Sequence, residues 1–152
     1  MEQANILEAL TWLTGRALPG LLTDSFLRAL HKRMFKDVWK WAGQYRATVK
    51  NLGVLPEQIG GEVKKLCEDT RYWISNKTFP PEESVLRFHH RLVAIHPFPN
   101  GNGRHARLAA DLLMRDQGLP PFAWNGPRES YLAALKAADR GDYKPLFKFV
   151  NS

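Results

Sequence analysis

The chain has a single cysteine, Cys67, so no internal disulfide is available and a reducing compartment is the natural setting. It has no apolar run long enough to cross a bilayer, and Met1-Glu2-Gln3 opens without the basic start or apolar stretch of a secretory leader. Acidic residues are in deficit, 15 against 22 basic, for a formal charge of +7. That excess suits a polyphosphate or an acidic partner. The basic residues occur only in short pairs such as Lys32-Arg33 and Lys64-Lys65, and no block or aromatic-interleaved patch argues for nucleic acid. There are no repeats and no linker of biased composition. Residues 1–152 therefore read as one domain, in the cytoplasm by default.

What is present is helical periodicity. Ile6, Leu10 and Leu13 predict an opening helix within residues 1–19, stopped by Gly15 and Pro19. Thr23 or Asp24 caps a second helix carrying Leu27, Leu30, Met34, Val38 and Trp41 as far as Gly43. Residues 46–54 mix β-branched and turn-forming residues and predict a short β-hairpin. Pro56 suits the first turn of a third helix with Ile59, Val63, Leu66, Cys67, Thr70 and Ile74 on one stripe. Pro80-Pro81 opens a fourth, with Val85, Phe88, Leu92 and Ile95 inward. A fifth helix begins near Gly103 and runs to Gly118, and two short helices near residues 129–138 and 143–150 follow. The expected fold class is all-α, a helical bundle with one small hairpin.

The loop from His96 to Arg107 joins two apolar-striped helices. Gly101 and Gly103 flank Asn102 where a helix begins, and positive φ there turns successive N–H groups into an anion nest. The helix start adds unpaired donors and the positive end of its dipole. Arg104 and Arg107, three apart, share a face and can fork onto phosphate oxygens. His96, at the other end, can accept a hydroxyl proton at neutral pH. Phe98 reads as an apolar peg holding the loop to the core. His89 and Cys67 read as buried structural residues, His105 falls in the phosphate helix, and His31 gives no signal.

The run His96-Pro97-Phe98-Pro99-Asn100-Gly101-Asn102-Gly103-Arg104-His105-Ala106-Arg107 closely resembles the Fic/Doc signature His-x-Phe-x-Asp/Glu-Gly-Asn-Gly-Arg-x-x-Arg. The likeness extends to Trp41-Ala42-Gly43-Gln44-Tyr45-Arg46, to Phe88–Ile95 and to Gly141–Leu146. It covers residues 20–150, and within the superfamily it is most similar to the bacterial mobile mystery protein B group.

The resemblance implies AMP transfer from ATP, as the substrate nucleotide, to a Ser, Thr or Tyr hydroxyl of a target protein, with His96 as general base. It implies that Gly101, Asn102 and Gly103 hold the α- and β-phosphates through backbone and amide donors. Arg104 takes the β/γ end, Arg107 the γ-phosphate, and Tyr131 packs on the base. Thr48, Val49, Lys50 and Asn51 belong to a flap that docks the target by strand addition. Gly103, where the phosphorylating Doc branch has lysine, favours nucleotidyl over phosphoryl transfer. The family's inhibitory Glu has no counterpart placed to reach Arg107, since Thr78–Glu83 sits between helices. Two alternatives stay open, an inhibitory segment missing from this chain or an inhibitory or antitoxin partner that supplies the Glu to Arg107. One position departs from the signature: Asn100 stands where the family has the acid that binds Mg²⁺ (or Mn²⁺). This implies weak Mg²⁺ dependence and leaves a second reading open, a Fic module with a different diphosphate donor, or one that binds nucleotide without transfer.

Overall fold

The computed structural model describes residues 20–151, and the expected opening helix with Ile6, Leu10 and Leu13 lies outside them. Six α-helices make up the described fold. In α1 (Asp24–Phe35) the Thr23 hydroxyl accepts from the Phe26 N–H at 3.1 Å, Asp24 lies in the first turn and Lys32 and Arg33 in the last. These charges complement the helix dipole. The helix buries Leu27, Leu30, His31, Met34 and Phe35.

It ends earlier than its apolar spacing predicts. The Phe35 carbonyl accepts from the N–H groups of both Val38 and Trp39 at 3.0 Å, which bends the chain into turns. Val38 and Trp41 therefore lie beyond the helix. The rings of Trp39 and Trp41 stack 4.5 Å apart instead of continuing a helical stripe.

No strand forms among the described residues, so the expected hairpin over residues 46–54 is corrected to an irregular loop. The physical reason is Arg46, which is buried within it. Its guanidinium donates to the carbonyls of Thr48 (3.0 Å), Val54, Ile95 (3.2 Å) and His96 (2.6 Å). Backbone N–H groups of Arg46 and Val54 donate to Pro97 (2.9 Å) and Ile95 (3.2 Å). Carbonyls that in a hairpin would accept from N–H groups across the strand pair accept instead from one side chain, and the loop is sewn onto the end of the fourth expected helix. Gly53 makes this possible: at φ 92° any Cβ would lie 2.7 Å from His96 Cβ and 2.6 Å from an Arg46 nitrogen.

Pro56–Gln58 forms a 3₁₀ turn rather than the first α-turn, and α2 follows over Ile59–Ser75. It buries Ile59, Val63, Leu66, Cys67 and Thr70, as its stripe predicts, while Ile74 is only partly covered. Burial pushes the Cys67 thiol up to about 11, so it behaves as a small hydrophobe. Helix α3 (Pro81–Ile95) starts on a proline, with Glu82 and Glu83 in its first turn. Glu83 pairs with Arg87 at 2.9 Å.

Helix α3 packs on both α2 and α4 (Asn102–Asp116). Ala106, Ala109 and Ala110 of α4 are fully buried, and residues that small let helix backbones approach closely. Helices α5 (Arg128–Asp139) and α6 (Lys144–Val150) pack on each other, and α6 also meets α3. The core runs through Phe35, Leu66, Phe88, Leu92 and Leu113. The hinge between α3 and α4 is therefore fastened by the core on both sides.

Candidate active site

Helix α3 ends because His96 turns into the left-handed region, φ 53° and ψ 61°, while its N–H still reaches the Leu92 carbonyl at 3.2 Å. For a residue with a Cβ this conformation costs roughly 1–2 kcal/mol, and Arg46 holds it by binding the His96 carbonyl. The half-buried imidazole titrates below the ordinary histidine value of 6.5, through burial first, then through the positive charges of Arg46 and Lys50. At neutral pH it is an uncharged proton acceptor.

Phe98 is fully buried, which is worth about 1.5–3 kcal/mol for an aromatic side chain. Its ring stacks on that of His31, 3.8 Å between centroids, and meets His105 edge-on at 5.0 Å. The expected peg is therefore confirmed. Asn102 completes the fastening: its Oδ1 accepts from the Phe98 N–H at 2.9 Å and its Nδ2 donates to the Phe98 carbonyl at 2.8 Å. Both ends of the Asn102 amide thus bond to Phe98 and the residue is buried, although it still lines the cleft described below.

Gly101 caps α4 at φ 78°, and a Cβ there would lie 2.7 Å from the Phe35 ring. No side chain caps this helix start, which leaves its dipole to an incoming anion. Arg107 folds back over Gly103, with a guanidinium nitrogen 3.3 Å from where a Cβ would sit. The Arg104 guanidinium lies over Phe35 at 5.1 Å and Trp39 at 5.9 Å. Its pKa is lowered by burial and then by the like charge of Arg107. Both cations are thus held close together before any anion arrives.

His96, Asn100, Gly101, Asn102, Gly103, Arg104, Arg107 and Tyr131 line one cleft of about 670 Å³, so most of the expected site is brought together. Tyr131 forms part of its wall, partly buried, with Arg107 5.8 Å from its ring and its hydroxyl 2.7 Å from His89 Nε2. Burial raises the Tyr131 pKa, and Arg107 opposes that rise. His89 is fully buried and its pKa is lowered to about 3, chiefly by burial. It acts as a neutral support for Tyr131, in keeping with the structural role expected of it. Thr48, Val49, Lys50 and Asn51 are all exposed on the loop that replaces the hairpin, and Leu52 from that loop reaches the cleft.

Two organising residues escaped the sequence reading. His31 accepts from the Gly43 N–H through Nδ1 at 2.9 Å, so its Nε2 carries the proton and donates to the Asn100 carbonyl at 3.0 Å. Burial lowers its pKa to about 4, the bond to Asn100 opposing. Its place four residues after Leu27, on the core stripe of α1, was the signal available. Arg46 was the second, and its bonds to Ile95 and His96 span 49 and 50 residues of chain.

The Mg²⁺ that the signature implies does not fit the residues present. Asn100 carries no charge, its main-chain oxygen accepts from His31, and its Oδ1 accepts from the Gly101 N–H at 2.8 Å. Among the described residues no three His, Cys, Asp or Glu side chains gather where a metal could be held.

A helical bundle thus sets an uncharged histidine and two arginines around one uncapped helix start. The profile of the Fic/DOC family matches residues 21–114. The protein adenylyltransferase fic-1 of Caenorhabditis elegans is 34% identical over 117 residues, covering 72% of this chain and 22% of its own. The protein adenylyltransferase Fic of Drosophila grimshawi is 32% identical over 127 residues, covering 80% and 26%. A solved structure of C. elegans Fic-1 superposes with a TM-score of 0.80 at 30% identity, covering 98% of this chain and 46% of that one. The chain belongs to the Fic/DOC family. It spans about a quarter of the length of these curated relatives.

Proposed function

We propose that the chain transfers AMP from ATP to a Ser, Thr or Tyr hydroxyl of a target protein. The observation that carries this reading is the shared cleft of His96 and the α4 start with Arg104 and Arg107. A neutral acceptor and a polyphosphate cradle stand on the same rigid loop. The adenylyltransferase relatives, named for this activity, support the choice of donor.

In this reading His96 takes the proton of the target hydroxyl as its oxygen attacks the α-phosphorus. A new P–O bond forms, the bond from the α-phosphorus to the α,β-bridging oxygen breaks, and pyrophosphate departs. The α4 start and Arg104 and Arg107 stabilise the charge that develops on it. The target segment lies along the exposed backbone of residues 48–51, ordered as an extended edge on docking. An inhibitory partner that supplies a glutamate to Arg107, and a cytoplasmic bacterial setting, complete the proposal. Glu83 is engaged with Arg87 and does not serve as that glutamate.

The test is incubation of the protein with α-labelled ATP and a bacterial lysate beside His96→Ala. Label on protein from the α- but not the γ-position, lost in the variant, supports AMP transfer. Binding of ATP with no label would instead support the nucleotide-binding module.

A further inference from the structure

Asn100 is held at both of its carbonyl oxygens, and that fixes which end of its amide is left uncommitted. The main-chain oxygen accepts from His31 Nε2, whose proton is assured because Nδ1 already accepts from Gly43. The side-chain oxygen accepts from the Gly101 N–H. Only an oxygen can accept there, so Nδ2 is the end left over. It has no partner among the described residues, and Asn100 is an exposed member of the cleft wall. What Asn100 presents is a pair of N–H donors. A hard cation requires oxygen lone pairs, whereas a phosphate oxygen requires donors.

The rest of the wall has the same sign. Arg104, Arg107 and Arg128 line it, and no Asp or Glu does. Positive charge that a divalent cation would bring to a triphosphate is thus supplied by the protein. Resting on the AMP-transfer reading of this site, we infer that the cleft takes its nucleoside polyphosphate without a divalent cation, with Asn100 Nδ2 donating directly to a phosphate oxygen. A carboxylate at the same place would keep one oxygen on Gly101 and turn the other toward the cleft, where it would repel bare phosphate and favour a metal. The amide reverses that preference without disturbing the loop.

The experiment is calorimetric titration with ATP, in EDTA and in excess Mg²⁺, of the wild type and of Asn100→Asp, which keeps the acceptor for Gly101. The wild type is expected to bind ATP in EDTA at least as tightly as in Mg²⁺. Asn100→Asp should bind roughly ten- to a hundred-fold more weakly in EDTA, the weight of one hydrogen bond to a charged group, and recover in Mg²⁺. Equal melting temperatures of the two proteins exclude a folding defect. Wild-type binding that appears only with Mg²⁺ overturns the inference and leaves AMP transfer standing. Absence of binding in both conditions, together with absence of His96-dependent labelling, overturns both.

Discussion

Acid should unfold this domain sooner than its composition suggests. His31, His89 and His105 are fully buried, and burial lowers their pKa values to about 4, 3 and 3. In the unfolded chain each titrates near its ordinary value of about 6.5. Below that value the unfolded chain binds protons that the folded one refuses, so stability falls as pH falls, with a limiting slope of about 1.4 kcal/mol per pH unit for each histidine. Between pH 7 and pH 5 the three together remove about 6 kcal/mol, when small domains hold only about 5–15 kcal/mol in all. Asp111, whose carboxyl burial pushes up, works in the opposite sense and tempers the loss at the acid end of this window. The assay is urea unfolding at half-unit steps of pH. Replacing His89 with Gln, which can still bond the Tyr131 hydroxyl, should take about 2 kcal/mol off the loss over the same range. A wild-type loss below about 2 kcal/mol, or an unchanged loss in the variant, would refute the assignment of these three rings as buried and neutral.

His96→Ala should lower transfer by about 10²–10⁴-fold, measured as initial rates of labelling. In the wild type the acid limb of the rate profile should fall below pH 6.5, because burial, Arg46 and Lys50 all favour the neutral base. Asn102→Ala strands the Phe98 N–H and C=O and should cost about 2–5 kcal/mol, read as a melting temperature lower by roughly 5–15 °C. Gly101→Ala places a methyl group 2.7 Å from Phe35 in a left-handed conformation. It should destabilise by about 2–5 kcal/mol, and an unchanged melting curve would contradict the close approach.

The helices from Ile59 to Val150 were legible because their apolar stripes fall between prolines and glycines placed where helices start and stop. Residues 36–43 misled, since Val38 and Trp41 sustain a helical spacing while the Phe35 carbonyl is already closing a turn. The hairpin failed for a different reason. Val49 and its neighbours have strand-like composition, but Arg46 takes the Thr48 and Val54 carbonyls within the loop and also ties it to Ile95, 49 residues on, and such side-chain bonds leave no periodic pattern. At the site, residue types and spacing pointed to His96, Arg104 and Arg107. They did not reveal that Asn102 turns inward or that His31 supports Asn100, because both depend on which groups meet after packing.

The reciprocal bonds between Asn102 and Phe98 bear on the kinetics of ligand capture. A loop that closes on itself needs no ligand to order it, so little conformational freedom is surrendered on binding. Association should then be a single step whose rate rises linearly with nucleotide concentration and falls with ionic strength, without the plateau of a slow rearrangement. Any slow phase would belong to the target protein, whose docking segment meets exposed backbone that has yet to be arranged.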